Sequence, residues 1–243
     1  MSIKIRFLTY KEICLINKIK YDDGIAKEYY ITKRTVEDFI KKSDDKTFEK
    51  IVRFLNMYHT GMRKGDKIPE IQHFLNICMD IISIKDYILS TKLCIFELIK
   101  IALLHDLYED YNKYDKIWEM SIERLKFKSE IEKDTIEYLT EDKKLTDKVL
   151  ALSKIDKSGK QKKSKKYYKE ISLEASLIIV KMLDRKDSLK SMQGVFSEEK
   201  KSLYEEQYER YIKFLSKDIE KDDEKLQFLF MLIRYRIKLV LKK

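Results

Sequence analysis

The run from Leu93 to Leu104 is mostly apolar, and it ends abruptly in charge, with His105, Asp106, Glu109 and Asp110 following at once. Its length and composition predict a buried helix, with Ser90 or Thr91 as the N-cap. Helical spacing puts residues three and four apart on one face. His105 then lies one turn before Glu109, and Asp106 one turn before both Glu109 and Asp110. Burying such groups without partners is costly, and a divalent metal is the simplest partner. His105 and Asp106 would be ligands, while Glu109 and Asp110 would stand a turn further on, within reach of water and substrate. A His-Asp pair alone is a common surface feature; its place at the end of an apolar helix is what gives this one weight.

Only one proline and five glycines occur in 243 residues rich in Lys, Glu, Leu and Ile, which predicts an all-α chain. This length fits one large domain, or one domain with an extension. The net charge of +10 suits an anionic partner such as a nucleotide, a nucleic acid or an acidic surface. Lys, Ile and Tyr are abundant throughout, however, so charge alone selects none of these. Cys14, Cys78 and Cys94 are odd in number and far apart, which predicts reduced core residues of a cytoplasmic protein and no disulfide frame. No signal peptide is visible. The apolar run from Leu226 is broken by Arg234, Arg236 and Lys238, too polar for a membrane span.

Along the chain, residues 1–44 read as an N-terminal extension of unknown role, with Ser2–Tyr10 as a strand or helix start and Thr35–Lys42 as a short helix. Phe48, Ile51, Val52, Leu55 and Tyr58 recur at three and four, an amphipathic helix that delivers His59 at its end. A loop holding Arg63, Lys64 and Lys67 leads through Pro69 to His73 and an apolar helix, Phe74–Leu89. The three histidines His59, His73 and His105 therefore all mark ends or starts of apolar helices, where a pocket between helices can form. Further helices are expected over Tyr114–Phe127, Ser129–Leu139 and Thr146–Ile155. The lysine-rich segment 154–166 reads as a mobile loop able to collect phosphate, but no nucleic-acid motif accompanies it. Leu173–Leu183 predicts a second buried helix, closed by Asp184, with Asp187 one turn on as a competing ligand. Helices over Ser197–Ser216 and Asp222–Leu241 carry stripes that read as core packing.

Taken together, these residues resemble the HD-domain hydrolases of the RelA/SpoT type, including the single-domain small alarmone hydrolases. The family pattern is a helix-ending His before an Arg-Lys-x-Gly loop, a Pro-Tyr-Ile-x-His turn, a His-Asp-x-x-Glu-Asp helix and a Lys-Leu-Ala-Asp-Arg-Leu-x-Asn-Leu helix. Here the corresponding residues are His59 with Arg63-Lys64-Gly65, Pro69-Glu70-Ile71-Gln72-His73, His105 to Asp110, and Lys181-Met182-Leu183-Asp184-Arg185. The likeness runs from residue 45 to about 215, within a domain spanning 45–243. It implies an HD-type helical bundle, with no synthetase segment following.

The resemblance also implies roles. His73, His105, Asp106 and Asp184 match the ligands of one Mn²⁺ ion, and mixed imidazole and carboxylate ligation suits an open hydrolytic site. Glu109 and Asp110 match the pair that orients and deprotonates the attacking water. Arg63 or Lys64 matches the basic contact to the purine base, with Arg185, Ser188 and Lys200 as further substrate contacts. The implied reaction removes the 3′-pyrophosphate of (p)ppGpp, leaving GDP or GTP, an activity of the stringent response. The chain departs from the pattern in substrate recognition: Ser188 replaces Asn, Phe74 replaces the Pro after His73, and the basic loop is one residue out of register. Those departures keep open a phosphohydrolase for another purine nucleotide, such as NADPH or a modified nucleotide; a third reading, a nucleotide-binding protein without turnover, has the intact His-Asp and Glu-Asp pairs against it.

Overall fold

In the computed structural model, the described residues are 5–63, 68–107, 141–154, 156, 160–192, 197–215 and 223–241. They form helices α1 (Tyr10–Asn17), α2 (Asp23–Ile40), α3 (Thr47–Tyr58), α4 (Glu70–Ser83), α5 (Lys85–Leu89), α6 (Ile95–Leu104), α7 (Lys143–Leu152), α8 (Ser164–Ser172), α9 (Ala175–Met192), α10 (Glu198–Leu215) and α11 (Glu224–Leu241). The fold is all-α, and no sheet occurs among the described residues. Local chemistry starts several helices where the sequence supplies a cap. Thr9 and Glu12 form a capping box on α1, Asp22 caps α2, and Asp142 caps α7.

Two helices organise the core. α4 packs against α2, α6 and α9, and α9 in turn packs against α4, α6, α7, α8, α10 and α11. A helix surrounded in this way must be apolar on nearly every face. Accordingly Leu177, Ile178, Ile179, Val180, Met182 and Leu183 are all buried. α4 contributes Ile71, Phe74, Leu75, Ile77, Cys78 and Ile81 to the same core, and α6 contributes Leu98 to Leu104 except Lys100. Polar groups buried here need specific partners, and they include His73 on α4, His105 after α6, and Lys181, Asp184 and Asp187 on α9.

Residues 5–44 fold onto this core. α2 packs on α4, and the amide of Phe7 donates to Glu37 Oε1 at 2.6 Å while that of Leu8 donates to Asn56 Oδ1 at 2.8 Å. The expected short helix over Thr35–Lys42 is the end of a longer one, because Ala26, Tyr29 and Val36 already lie on its buried face. Residues 5–9 are neither strand nor helix, and α1 begins only at Tyr10.

Other boundaries differ from the expected ones for local reasons. α6 starts after Cys94, not Ser90 or Thr91; the Thr91 hydroxyl instead donates to Ile88 O and accepts the Leu93 amide. Cys94 is therefore exposed at a helix entrance, whereas Cys14 and Cys78 are buried as expected. The expected helix Phe74–Leu89 is two, since Ile84 at φ −116°, ψ 18° leaves helical geometry between α4 and α5. Leu173 closes α8 in an exposed position, so the second buried helix begins at Ala175 and runs on to Met192. The α11 stripe Leu229, Ile233 and Ile237 is buried. The helices expected over 114–139 lie outside the described residues.

Leu75 is fully buried in α4. Leu75→Ala is expected to cost about 2–5 kcal/mol of unfolding free energy, the usual range for a leucine deleted from a packed core. Urea denaturation followed by circular dichroism measures it.

Candidate metal centre

Three helices deliver the site. Pro69 starts α4 with its fixed φ, which places His73 in the first turns of the helix. The chain stays helical through His105, at φ −60° and ψ −30°, so the imidazole leaves the end of α6 pointing into the core. α9 runs alongside and supplies Asp184 and Asp187 from one face, a turn apart.

His73, His105 and Asp184 are buried and offer ligand atoms that lie within 4.8 Å of one another. Asp184 Oδ1 is 3.3 Å from His73 Nε2 and 3.9 Å from His105 Nε2. Asp106 joins from the side, with Oδ2 3.2 Å from His105 Nε2 and 4.0 Å from His73 Nε2. Ligands about 2.1 Å from a six-coordinate ion sit about 3.0 Å apart when adjacent and about 4.2 Å when opposed. The separations here fall in that interval.

The hydrogen bonds on the far sides of the rings fix which nitrogen faces the cluster. His105 Nδ1 donates to the carbonyl of Ala102 at 2.8 Å, which turns Nε2 toward the cluster. That Nε2 is buried and makes no hydrogen bond; the Asp106 oxygen beside it lacks the alignment for one. An orphaned, fully buried imidazole nitrogen beside two aspartates is an expensive arrangement unless a cation occupies the point between them. The described residues therefore fit a metal ion, with four candidate ligands and no thiolate among them. That set favours a hard or borderline divalent ion without singling one out.

Electrostatics agrees. Burial works against a charge on His73, yet its hydrogen bonds to Asp184 and Asp187 and their negative charges outweigh burial and raise the pKa to about 10. Burial likewise favours neutral carboxyls, but Lys181 and His73 hold Asp184 well below the ordinary range, and His105 does the same for Asp106. Lys181 Nζ makes the direct pair with Asp184 Oδ2 at 2.6 Å. The side chain of Asp106 is 29% exposed, so solvent enters from its side.

The structure separates Asp187 from the ligand set. Its Oδ2 accepts from His73 Nδ1 at 2.6 Å, on the side of the ring away from Asp184. Asn76 Nδ2 donates to its Oδ1 at 2.7 Å, and Arg63 to its Oδ2 at 3.1 Å. Arg63 also donates to Ser191 Oγ at 2.6 Å. Ser188 Oγ donates to Asp184 Oδ1 at 3.4 Å. The Arg185 guanidinium lies over the Tyr204 ring, 5.3 Å from its centre, and ties α9 to α10. Lys200 is exposed in the first turn of α10. Lys64, Glu109 and Asp110 lie outside the described residues. Neither Asn76 nor Lys181 is given a role by the motifs, although Asn76 is one helical turn from His73 and Lys181 one turn from Asp184. His59 ends α3 and packs its ring on Phe74, 4.6 Å between centres, and Phe74 in turn packs on His105 at 5.3 Å.

A cavity of about 1010 Å³ lies away from this cluster, between α7, α8 and the start of α9. Asp156, Lys162 and Lys166 of the lysine-rich segment line it, but the four lysines there face four acids. Lys162 pairs with Glu170 at 2.7 Å and donates to Leu150 O, and Lys148 pairs with Glu97 and Glu174. A balanced lining of this kind has little net attraction for phosphate.

No protein-family model matches the chain, and no curated protein matches it. No helix among the described residues is long and apolar enough to cross a membrane.

Proposed function

We propose that this chain is a metal-dependent phosphohydrolase of the HD-domain type, acting on the 3′-pyrophosphate of (p)ppGpp. The observation that carries the reading is the buried meeting of His73 Nε2, His105 Nε2 and Asp184 Oδ1, with Asp106 at its open edge. These four residues would hold the ion, for which Mn²⁺ is the proposed identity. Such an ion supplies Lewis-acid activation of water and shields negative charge on the phosphate.

The chain's own residues do the rest. The Nδ1 hydrogen bonds of both histidines keep their Nε2 atoms turned inward, so the ligand set is arranged before substrate arrives. Asp106, the most open of the four, marks the side from which a phosphate enters. Glu109 and Asp110, a few residues further along the chain, are the proposed pair that orients water and takes its proton. A surplus of basic residues over the whole chain, +10 net, favours encounter with a polyanionic nucleotide.

A second reading keeps the same centre and changes the substrate to another purine nucleotide. It is favoured by how the recognition residues are occupied: Arg63 is bonded to Asp187 and Ser191, and the short Ser188 side chain is bonded to Asp184. Both would have to exchange those partners to touch a base or ribose.

One assay separates the readings. Manganese-loaded protein is incubated with a panel of 3′-phosphorylated purine nucleotides, NADPH included, and products are identified by mass. Pyrophosphate released from ppGpp is the expected result; orthophosphate from another member of the panel supports the second reading. Absence of any product across the panel contradicts both.

A further inference from the structure

The ring of His73 is clamped between two aspartates from one face of α9. Asp184 meets Nε2 at 3.3 Å and Asp187 meets Nδ1 at 2.6 Å. The two carboxylates do different work, because only the Nε2 side looks toward His105 and Asp106. Asp187 is buried, and its two oxygens receive three donors: His73 Nδ1 and Arg63 on Oδ2, Asn76 on Oδ1. A buried carboxylate with this many donors is ionised and can only accept. It therefore requires a proton of the His73 ring to stay on Nδ1, so that Nε2 is the nitrogen left to give up its proton to a cation.

The clamp reaches back to the segment between α3 and α4. Arg63 follows the short bridge between Met62 and Pro69, and its amide donates to Ile68 O at 3.0 Å. Its side chain crosses to α9, where it bonds both Asp187 and Ser191. Ser191 Oγ in turn donates to the carbonyl of Asp187 at 2.8 Å. One guanidinium thus fixes the carboxylate that fixes the imidazole.

We propose that Asp187 is the positioning residue for His73, setting its tautomer and ring direction, and that Arg63 holds Asp187 in place. Affinity for the cation then depends on a residue of the α3–α4 segment that need touch neither ion nor substrate. This inference rests on the cation site and is independent of which nucleotide is cleaved.

The test uses the full-length protein with two readouts. Mn²⁺ affinity is measured by electron paramagnetic resonance, and the imidazole nitrogens are observed by NMR on histidine-¹⁵N-labelled protein loaded with Mg²⁺. With three histidines in the chain the spectrum is assignable by single substitutions. Asp187→Ala is expected to weaken Mn²⁺ binding about 10–100-fold, the usual effect of losing a residue that orients a metal-bound histidine. In the same variant His73 is expected to lose its fixed Nδ1–H form while His105 keeps its own. Asp187→Asn, which retains an acceptor oxygen, is expected to restore the Nδ1–H form and part of the affinity. Arg63→Ala is expected to weaken binding severalfold with the same direction of change at His73.

Wild-type affinity in a folded Asp187→Ala protein, with the His73 nitrogens unchanged, would overturn the proposal and leave the cation site standing. If Asp187→Ala does not fold, wild-type Mn²⁺ affinity in both Asp187→Asn and Arg63→Ala, with the His73 nitrogens of Arg63→Ala unmoved, overturns it equally. Failure of the wild-type protein to bind Mn²⁺ would remove the cation site itself, and this inference with it.

Discussion

Asp106→Ala is expected to lower turnover of the cleaved nucleotide by about a thousandfold or more, equivalent to about 4 kcal/mol of transition-state stabilisation. The effect should be chemical, with folding preserved. Asp106 is the least buried of the four candidate ligands, and its side chain is 29% exposed. Removing it deletes a negative charge from the open edge of the site and leaves the apolar contacts of α4, α6 and α9 intact. His105 would lose the carboxylate 3.2 Å from its Nε2 and would hold a cation less well. Steady-state kinetics with saturating Mn²⁺, alongside circular dichroism of both proteins, gives the answer. Turnover close to wild type with an unchanged spectrum would mean that Asp106 has no place in the reaction.

Cation affinity is expected to rise steeply with pH, by about tenfold per unit for each proton displaced. In the metal-free protein the pKa of His73 stands at about 10, held there by Asp184 and Asp187. Near neutrality the ring is therefore protonated on both nitrogens, and a cation can bind Nε2 only by expelling that proton. Calorimetry in buffers of different ionisation enthalpy should find close to one proton released per ion at pH 7, and Mn²⁺ binding about a hundredfold tighter at pH 8 than at pH 6. No proton release and no pH dependence would contradict the assignment of His73 as a ligand.

The same shift fixes a stability prediction for the metal-free protein. A histidine with a raised folded pKa contributes stability that is complete below its unfolded value of about 6.5 and disappears as pH climbs toward about 10. Asp184 and Asp187 have lowered pKa values, so their contribution has the opposite sense. It is present at neutral pH and is lost only in acid, below the ordinary carboxylate range. Thermal melting of the metal-free protein should therefore weaken between pH 7 and 10 more in wild type than in His73→Asn, by a few kcal/mol at most.

The centre is legible in the sequence because a charge at the end of a buried helix is conspicuous. His105 and Asp106 follow α6, Asp184 interrupts the apolar run of α9, and His73 follows the only proline. The division of labour between Asp184 and Asp187 was not legible. Both lie on one helical face, and only the placement of the His73 ring between them shows which touches which nitrogen. The N-terminal helices were obscure for another reason. α2 buries Thr32, Lys33 and Glu37 beside its apolar residues, with Lys33 and Glu37 paired at 2.8 Å, so its hydrophobic period is diluted. The break at Ile84 has no glycine or proline to announce it. Cys94 reads as a core residue because apolar neighbours surround it in sequence, yet it stands before the first turn of α6 and is exposed there.

The most direct measurement is anomalous diffraction from crystals equilibrated with Mn²⁺. A single strong peak is expected about 2.0–2.3 Å from His73 Nε2, His105 Nε2, Asp106 Oδ2 and Asp184 Oδ1, with Asp187 remaining on His73 Nδ1. A peak located elsewhere, or none at saturating manganese, would contradict the claim that these side chains meet in order to hold a cation.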